Sequence, residues 1–379
     1  MKTVFITIPW FHPAYKAGGP IQSIANLVNN FTEAVEYRIF CSNTDLDKMP
    51  MANIETGKWV PYNSHTQVWY AGTHKRSEIL LEEVKKIRPD ILYIIGLYDW
   101  HFNMVPLLFC KTLKKIVSVR GMLHPGAMSQ KAFKKKIYLA GWKVFGLQHK
   151  TAFHATDEKE KMHISKMFGK QVIIYTAANF PRVFKMQDGV FKTIGNLKLI
   201  SIALISPMKN HLQVLQALAG CTNIIEYNIY GPVKDKGYWQ LCVALIEKLP
   251  PNIKAVYHGD LPPDQVERTL NESQVFILPS KSENFGHAIY EAFSAGLPVI
   301  TSKTTPWNGL MEKQAGINTE TEVAAITDAI DYFGNMENEE YVKWRAGAAA
   351  FANTELDSFA IRTAYREMFS ILPDTMKTT

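Results

Sequence analysis

Short apolar runs alternate with longer amphipathic stretches along most of this chain. The runs at 4–8, 36–41, 68–71, 91–97, 115–119 and 153–156 predict strands. Several are apolar throughout rather than at every second position, which is the pattern of strands buried on both faces of a parallel sheet. Between them, 21–30 and 78–87 predict helices, and the first is entered through Gly18-Gly19-Pro20. The rhythm breaks over 179–197, which holds Pro181, Gly189 and Gly195 and lacks a period. It resumes with predicted strands at 197–203, 226–230, 255–258, 274–278 and 299–302, and 356–372 predicts a closing amphipathic helix. Strand–helix alternation of this kind implies α/β architecture. The expectation is two doubly wound, Rossmann-like domains, 1–185 and 195–355, facing each other across a cleft.

Composition narrows the class. The 379 residues suffice for two domains of ordinary size, and 47% hydrophobic with 20% charged residues excludes disorder. The formal charge is +7, which favours anionic partners. Four scattered cysteines, none in a Cys-x-x-Cys pair, read as buried free thiols in a reducing compartment and not as a zinc site. The first apolar run is too short for a signal peptide and Pro9 interrupts it; no run reaches the ~18 residues of a membrane span. A cytoplasmic protein is expected.

The densest chemistry lies in Ser-Glu-Asn-Phe-Gly-His-Ala-Ile-Tyr-Glu, residues 282–291. Glu283 falls on a loop at the carboxyl end of the 274–278 strand, and Glu291 falls inside the helix predicted for 287–295. Gly296 caps that helix and Pro298 prevents its continuation. Ligands of open α/β sheets bind at this edge. Amides near Phe285, Gly286 and His287 and the positive helix end suit a phosphate. Ionised carboxylates suit sugar hydroxyls. Lys209, in Ser206-Pro-Met-Lys-Asn210, opens another helix after a strand and can neutralise a phosphate. His258-Gly259 ends a third strand, and Arg120 lies on a strand-end loop of the first domain with His124. The Asp45-Leu46-Asp47 triplet stands apart and is read as chance. Residues 131–145 mix lysines with aromatics at helical spacing. Two readings stand for them: a helix lying on an anionic membrane surface, or one that packs Phe133, Ile137, Tyr138 and Trp142 in the core with its lysines in water. No nucleic-acid motif accompanies the charge.

Ser-x-x-Glu-x-Phe-Gly, followed by Glu-Ala-x-x-x-Gly-x-Pro-Val-Ile, resembles the retaining glycosyltransferases of family 4, also called group 1, whose fold is GT-B. The resemblance covers essentially the whole chain. It implies that Glu283 binds the transferred sugar and Glu291 the nucleotide ribose, while amides from Phe285 to Ala288, with Asn284 and His287 beside them, hold the diphosphate. It implies that Lys209 is the lysine of the family's basic pair, with Ser206 beside it, that His258-Gly259 borders the base, and that Gly18 and Gly19 form the first-domain glycine loop. It further implies that helix 356–372 returns to the first domain. Leu204 stands where the family carries arginine, and Arg120 where many members carry histidine; Lys281 and Arg120 are the candidates to replace the missing charge. The resemblance implies catalysis by Glu283, Lys209 and Arg120 on a nucleoside diphosphate sugar, with no metal, no cofactor and no protein nucleophile. The acceptor is then a glycan or lipid-linked oligosaccharide of bacterial surface polysaccharide synthesis, at the inner face of the cytoplasmic membrane. Leu204 keeps open the alternative of a catalytically weak scaffold that binds nucleotide sugars.

Overall fold

A computed structural model describes residues 1–111, 113–129, 132–187 and 190–371. The chain divides into two compact units, 1–180 with 357–379, and 181–356.

The first unit holds eight strands: β1 (Lys2–Thr7), β2 (Val35–Ser42), β3 (Trp59–Asn63), β4 (Thr66–Ala71), β5 (Ile91–Ile95), β6 (Lys114–Ser118), β7 (Ala152–Ala155) and β8 (Ile174–Thr176). They form one sheet in the order β3-β4-β2-β1-β5-β6-β7-β8. All neighbours run parallel except β3 against β4, a hairpin on the sheet edge. The chain leaves β1 for β2 on one side and later returns to β5 on the other, so the topological switch lies between β1 and β5. Helix Gly19–Asn30 follows β1; Gly18, its N-cap, sits at φ +70°, a backbone region that glycine enters without steric cost.

The helix Ser358–Met368 belongs to this first unit. Asp357 caps it by accepting from the amides of Phe359 and Ala360. Its buried Ile361, Tyr365 and Met368 face the core, and the Tyr365 ring stacks on Phe180 at 5.3 Å. Residue 372, the last of the predicted helix, lies outside the described residues.

The second unit holds β9 (Asn196–Ile202), β10 (Ile224–Tyr230), β11 (Ile253–Tyr257), β12 (Val275–Leu278), β13 (Val299–Ser302) and β14 (Gly316–Thr319), all parallel, in the order β11-β10-β9-β12-β13-β14. Successive strand residues enter different cores. Leu199, Ile277 and Ile300 join one cluster; Ile200, Phe276 and Val299 join another. Both faces of the sheet are therefore buried, which explains why these strands read as unbroken apolar runs. The switch point lies between β9 and β12.

Helix Ala132–Val144 departs from the core-packed reading of its aromatic side. Trp142 is buried at 1% exposure and Tyr138 is half-buried, but Phe133 and Ile137 are 76% and 58% exposed. Nine residues are two and a half helical turns, so Phe133 and Trp142 point to opposite sides. Lys131, the first lysine of that run, lies outside the described residues. Among the described residues, no helix is long and apolar enough to cross a membrane.

Candidate functional site

Two loops meet at the switch point of the second sheet. One follows β9 and carries Ser206 and Lys209; the other follows β12 and carries Ser280 to Gly286. The amide of Lys281 donates to the carbonyl of Met208 at 2.9 Å, which fixes the loops against each other. Across this junction Lys209 Nζ reaches Glu283 Oε1 at 2.5 Å, and Ser280 Oγ donates to the same oxygen at 2.7 Å. Both charged side chains are largely enclosed, so their attraction is less screened than a surface pair's. The amide of Lys209 donates to the carbonyl of Ser206 at 3.0 Å, a turn that precedes the helix His211–Leu218. Burial pushes His211, the first residue of that helix, down to a pKa of about 3, so it is neutral.

The Glu283 loop is braced from β13. Ser302 and Thr304 both donate to the carbonyl of Ser280. Gly286, at φ +76°, is the N-cap of helix His287–Ser294; a Cβ there would come within 3.1 Å of Ile289. Phe285 is buried, its ring 5.2 Å from Trp307, and Trp307 Nε1 donates to the Phe285 carbonyl at 2.6 Å. Trp307 thus sets the backbone that leads into the helix. At the other end, Gly296 and Leu297 bond back to Phe293 and Ala292, the 5→2 and 6→1 pattern of a Schellman stop.

Glu291 lies inside this helix and is only 7% exposed. Burial pushes its carboxyl up to a pKa of about 7, with the Arg182 charge pulling the other way. Arg182 donates to the carbonyl of Pro263 and lies over the ring of Phe184. A carboxylate poised near neutrality inside an apolar helix has a desolvation cost that hydroxyl donors from a ligand can offset.

His258 follows the last residue of β11 and stacks on Tyr230, which ends β10, with ring centroids 4.6 Å apart and planes 12° from parallel. His258 Nε2 and Asn228 Oδ1 are 2.6 Å apart. An aromatic pair at adjacent strand ends offers a flat surface for a planar ring. Gly259, at φ +78°, leaves the edge beside it open. The end of β10 turns at Gly231, where a Cβ would lie 2.0 Å from the Ala203 carbonyl oxygen; only glycine fits. Leu204 follows Ala203 in this same crossing and is partly exposed.

Of the residues singled out in sequence, Ser206, Lys209, Glu283 and Asn284 to His287 fall on the two switch-point loops and the helix start they lead to, with Glu291 one turn on. His258 and Gly259 directly follow β11 of the same sheet. Gly18, Gly19 and Arg120 belong to the first unit. Arg120 is committed to that unit's interior: its guanidinium donates to Asn179 Oδ1 and to the Tyr93 hydroxyl at 3.1 Å. Tyr93 continues the network to His154, which burial pushes down to about 3. This placement makes Arg120 a packing residue and not an available cation. The Asp45 carboxylate accepts from the amides of Tyr15 and Lys16, and Asp47 pairs with Lys16, so the triplet read as chance holds the loop before Gly18. Tyr230 and Trp307 were not anticipated. An aromatic at a strand end just before Gly-Pro was the available signal for Tyr230.

Residues 168–350 match the family described as Glycosyl transferases group 1. That match spans 183 of the 379 residues, just under half of the chain. The fold is GT-B. The sucrose-phosphate synthase of Thermosynechococcus elongatus is similar at a TM-score of 0.72 with 14% identity, covering 98% of this chain and 100% of that one. Anabaena HepE in complex with UDP-glucose is similar at 0.71 with 14% identity, over 98% and 100%. A sulfoquinovosyl transferase of Arabidopsis thaliana is 38% identical over 58 residues, 15% of this chain. That match spans 11% of the plant protein's length.

Proposed function

We propose that this glycosyltransferase moves a sugar from a nucleoside diphosphate sugar to a glycan or lipid-linked acceptor, with retention at the anomeric carbon. The observation that carries the reading is the Lys209–Glu283 pair, bridged by Ser280 at the switch point beside a helix N-terminus. In this reading the diphosphate occupies the amides from Phe285 to Ala288 and draws Lys209 toward its oxygens. Glu283, relieved of that partner, accepts from hydroxyls of the sugar. Glu291 accepts from the ribose diol, and the base lies against the Tyr230–His258 stack. Similarity to a protein whose structure contains UDP-glucose supports this assignment of the donor.

The bond between the anomeric carbon and the leaving phosphate oxygen breaks, and the acceptor oxygen bonds to the same face of that carbon. Its proton passes to the departing phosphate, so no protein nucleophile takes part. Positive charge for the leaving group comes from Lys209, the exposed Lys281 and the helix-start amides. Each such donor is worth about 3 kcal/mol at the transition state. The first unit, with its Gly18-Gly19 loop, serves the acceptor in this reading. Synthesis of a bacterial surface polysaccharide on the cytoplasmic side of the membrane is the setting it favours.

Leu204, an aliphatic side chain where the family pattern places arginine, supports one other reading: a binding scaffold with little turnover. Calorimetry with UDP, GDP and ADP, followed by transfer assays with the matching sugars, separates the two. Transfer by wild type that Glu283→Ala abolishes supports the enzyme. Binding without turnover supports the scaffold, and no binding of any nucleotide defeats both.

A further inference from the structure

Helix Ala132–Val144 leaves on the surface what a soluble helix ordinarily hides. Phe133, Ile137 and Val144 are 76%, 58% and 81% exposed, and Phe145, which bonds back to Gly141 and so continues the turn, is 68% exposed. At about 100° per residue, Phe133, Ile137, the exposed Ala140 and Val144 fall within an arc of roughly 60°. Exposed Lys134 flanks this stripe on one side; exposed Lys136 and Lys143 flank it on the other. The opposite face is anchored by buried Leu139 and Trp142. Lys135, on that inner side, donates to the Ala127 carbonyl and lies over the Tyr98 ring.

The charge around this stripe has one sign. From residue 125 to residue 156 the sequence holds six lysines and no aspartate or glutamate, against a net charge of +7 for the whole chain. An exposed apolar stripe between lysine rows matches a surface that is apolar below and anionic above. Singly exposed apolar residues need no explanation, but several aligned on one helix face mark an interaction site. We infer that this face docks on an anionic lipid bilayer. A 13-residue helix is about 20 Å long, too short to span the membrane, so it lies in the headgroup layer with the phenyl and aliphatic groups inserted. The lysines remain among the lipid phosphates. A nucleic acid or an acidic protein would satisfy the lysines but would leave the stripe in water. The inference stands on these residues alone and does not depend on the sugar-transfer reading.

The test is flotation of the full chain with vesicles of phosphatidylcholine alone and of phosphatidylcholine mixed with phosphatidylglycerol. Wild type should float with the anionic vesicles, less so as salt rises, and remain below with the neutral ones. Each lysine near an anionic surface is worth roughly five-fold in partitioning, so Lys134→Glu/Lys136→Glu/Lys143→Glu should bind at least ~100-fold more weakly. Phe133→Ser/Ile137→Ser/Val144→Ser should lose roughly ten-fold or more per residue while its charge is unchanged. All six positions are exposed, so both variants should keep the wild-type circular dichroism and nucleotide affinity. Equal flotation with both vesicle types, or wild-type flotation by either variant, overturns the inference. So does undiminished binding of the serine variant to RNA or heparin with no wild-type flotation, which makes the face a polyanion site. Vesicle binding that persists although no nucleotide binds sinks the sugar-transfer reading and leaves this one intact.

Discussion

Replacing Glu291 with glutamine isolates the cost of keeping a carboxyl group inside the helix His287–Ser294. In the unfolded chain this group titrates near 4.5, and burial raises it to about 7 in the native state. Between those values the folded protein holds a proton that the unfolded chain has released. Stability therefore falls as pH rises through that window and levels off above about 7. A separation of about 2.5 units corresponds to roughly 3 kcal/mol, with the Arg182 charge already included in the native value. Glu291→Gln removes this titration, so the variant should gain on wild type by up to about 3 kcal/mol as pH rises from ~4.5 to ~7, and no further. Urea unfolding over a pH series measures it. The chain has two units and need not unfold in one step, so the difference between variant and wild type is the quantity to follow.

The ligand side has the opposite sign. If the ribose diol donates to Glu291, binding requires the ionised carboxylate. Nucleotide affinity should then rise with pH, up to ten-fold per unit below about 7, and binding near neutrality should release a proton. Calorimetry in buffers of different ionisation enthalpy detects that release. A variant-minus-wild-type difference that is flat from acid to neutral pH would falsify the buried-carboxyl argument. Loss of stability in the variant at alkaline pH would do the same.

Leu204→Arg should raise kcat, since it adds a cation next to the Ala203 crossing; transfer rates with saturating donor check it, and an unchanged or lower rate means the position does not reach the leaving group. Lys281→Ala should lower kcat on the order of 100-fold if its ammonium serves the diphosphate, with little change in melting temperature. Tyr230→Ala should weaken binding of the whole nucleotide and leave binding of free diphosphate unaltered, because it removes one face of the stack with His258; calorimetry with both ligands decides. Gly231→Ala should compromise folding of the second unit, since its Cβ would sit 2.0 Å from the Ala203 oxygen; soluble yield and thermal unfolding report it.

The long buried strands were legible because each is an unbroken apolar run, the consequence of a sheet covered on both faces. Strands β3, β8 and β14 were not, being three to five residues long and only partly buried. Glu283, Glu291 and Lys209 were legible because strand-end loops and helix starts leave marks in glycine, proline and apolar period. Their contact was not, since 74 positions separate Lys209 from Glu283 and only the strand order brings β9 beside β12. The outward face of helix Ala132–Val144 could have been read from spacing alone. Residues nine apart cannot share a helix face, so Phe133 and Trp142 could not both be core. Trp307 left no signal, because its role depends on one carbonyl, that of Phe285, in a loop 22 residues away.

The missing arginine at Leu204 leaves two sequence candidates for the second cation, and their surroundings separate them. Moving the Arg120 guanidinium to a ligand would strip partners from Tyr93 and Asn179. Hydrogen bonds to a charged group are worth about 1.5–3 kcal/mol each, and two would break together. Lys281 meets no such obstacle. Its side chain is exposed, and its own amide anchors the Glu283 loop to the Lys209 loop, so the cation is carried on the backbone that aligns the pair. A diphosphate held at the helix start can draw that lysine in for the entropy of one flexible side chain, about 2 kcal/mol at most. That is less than the cost of breaking the Arg120 hydrogen bonds, so in the proposed reading Lys281, and not Arg120, is the residue that balances the leaving group's charge.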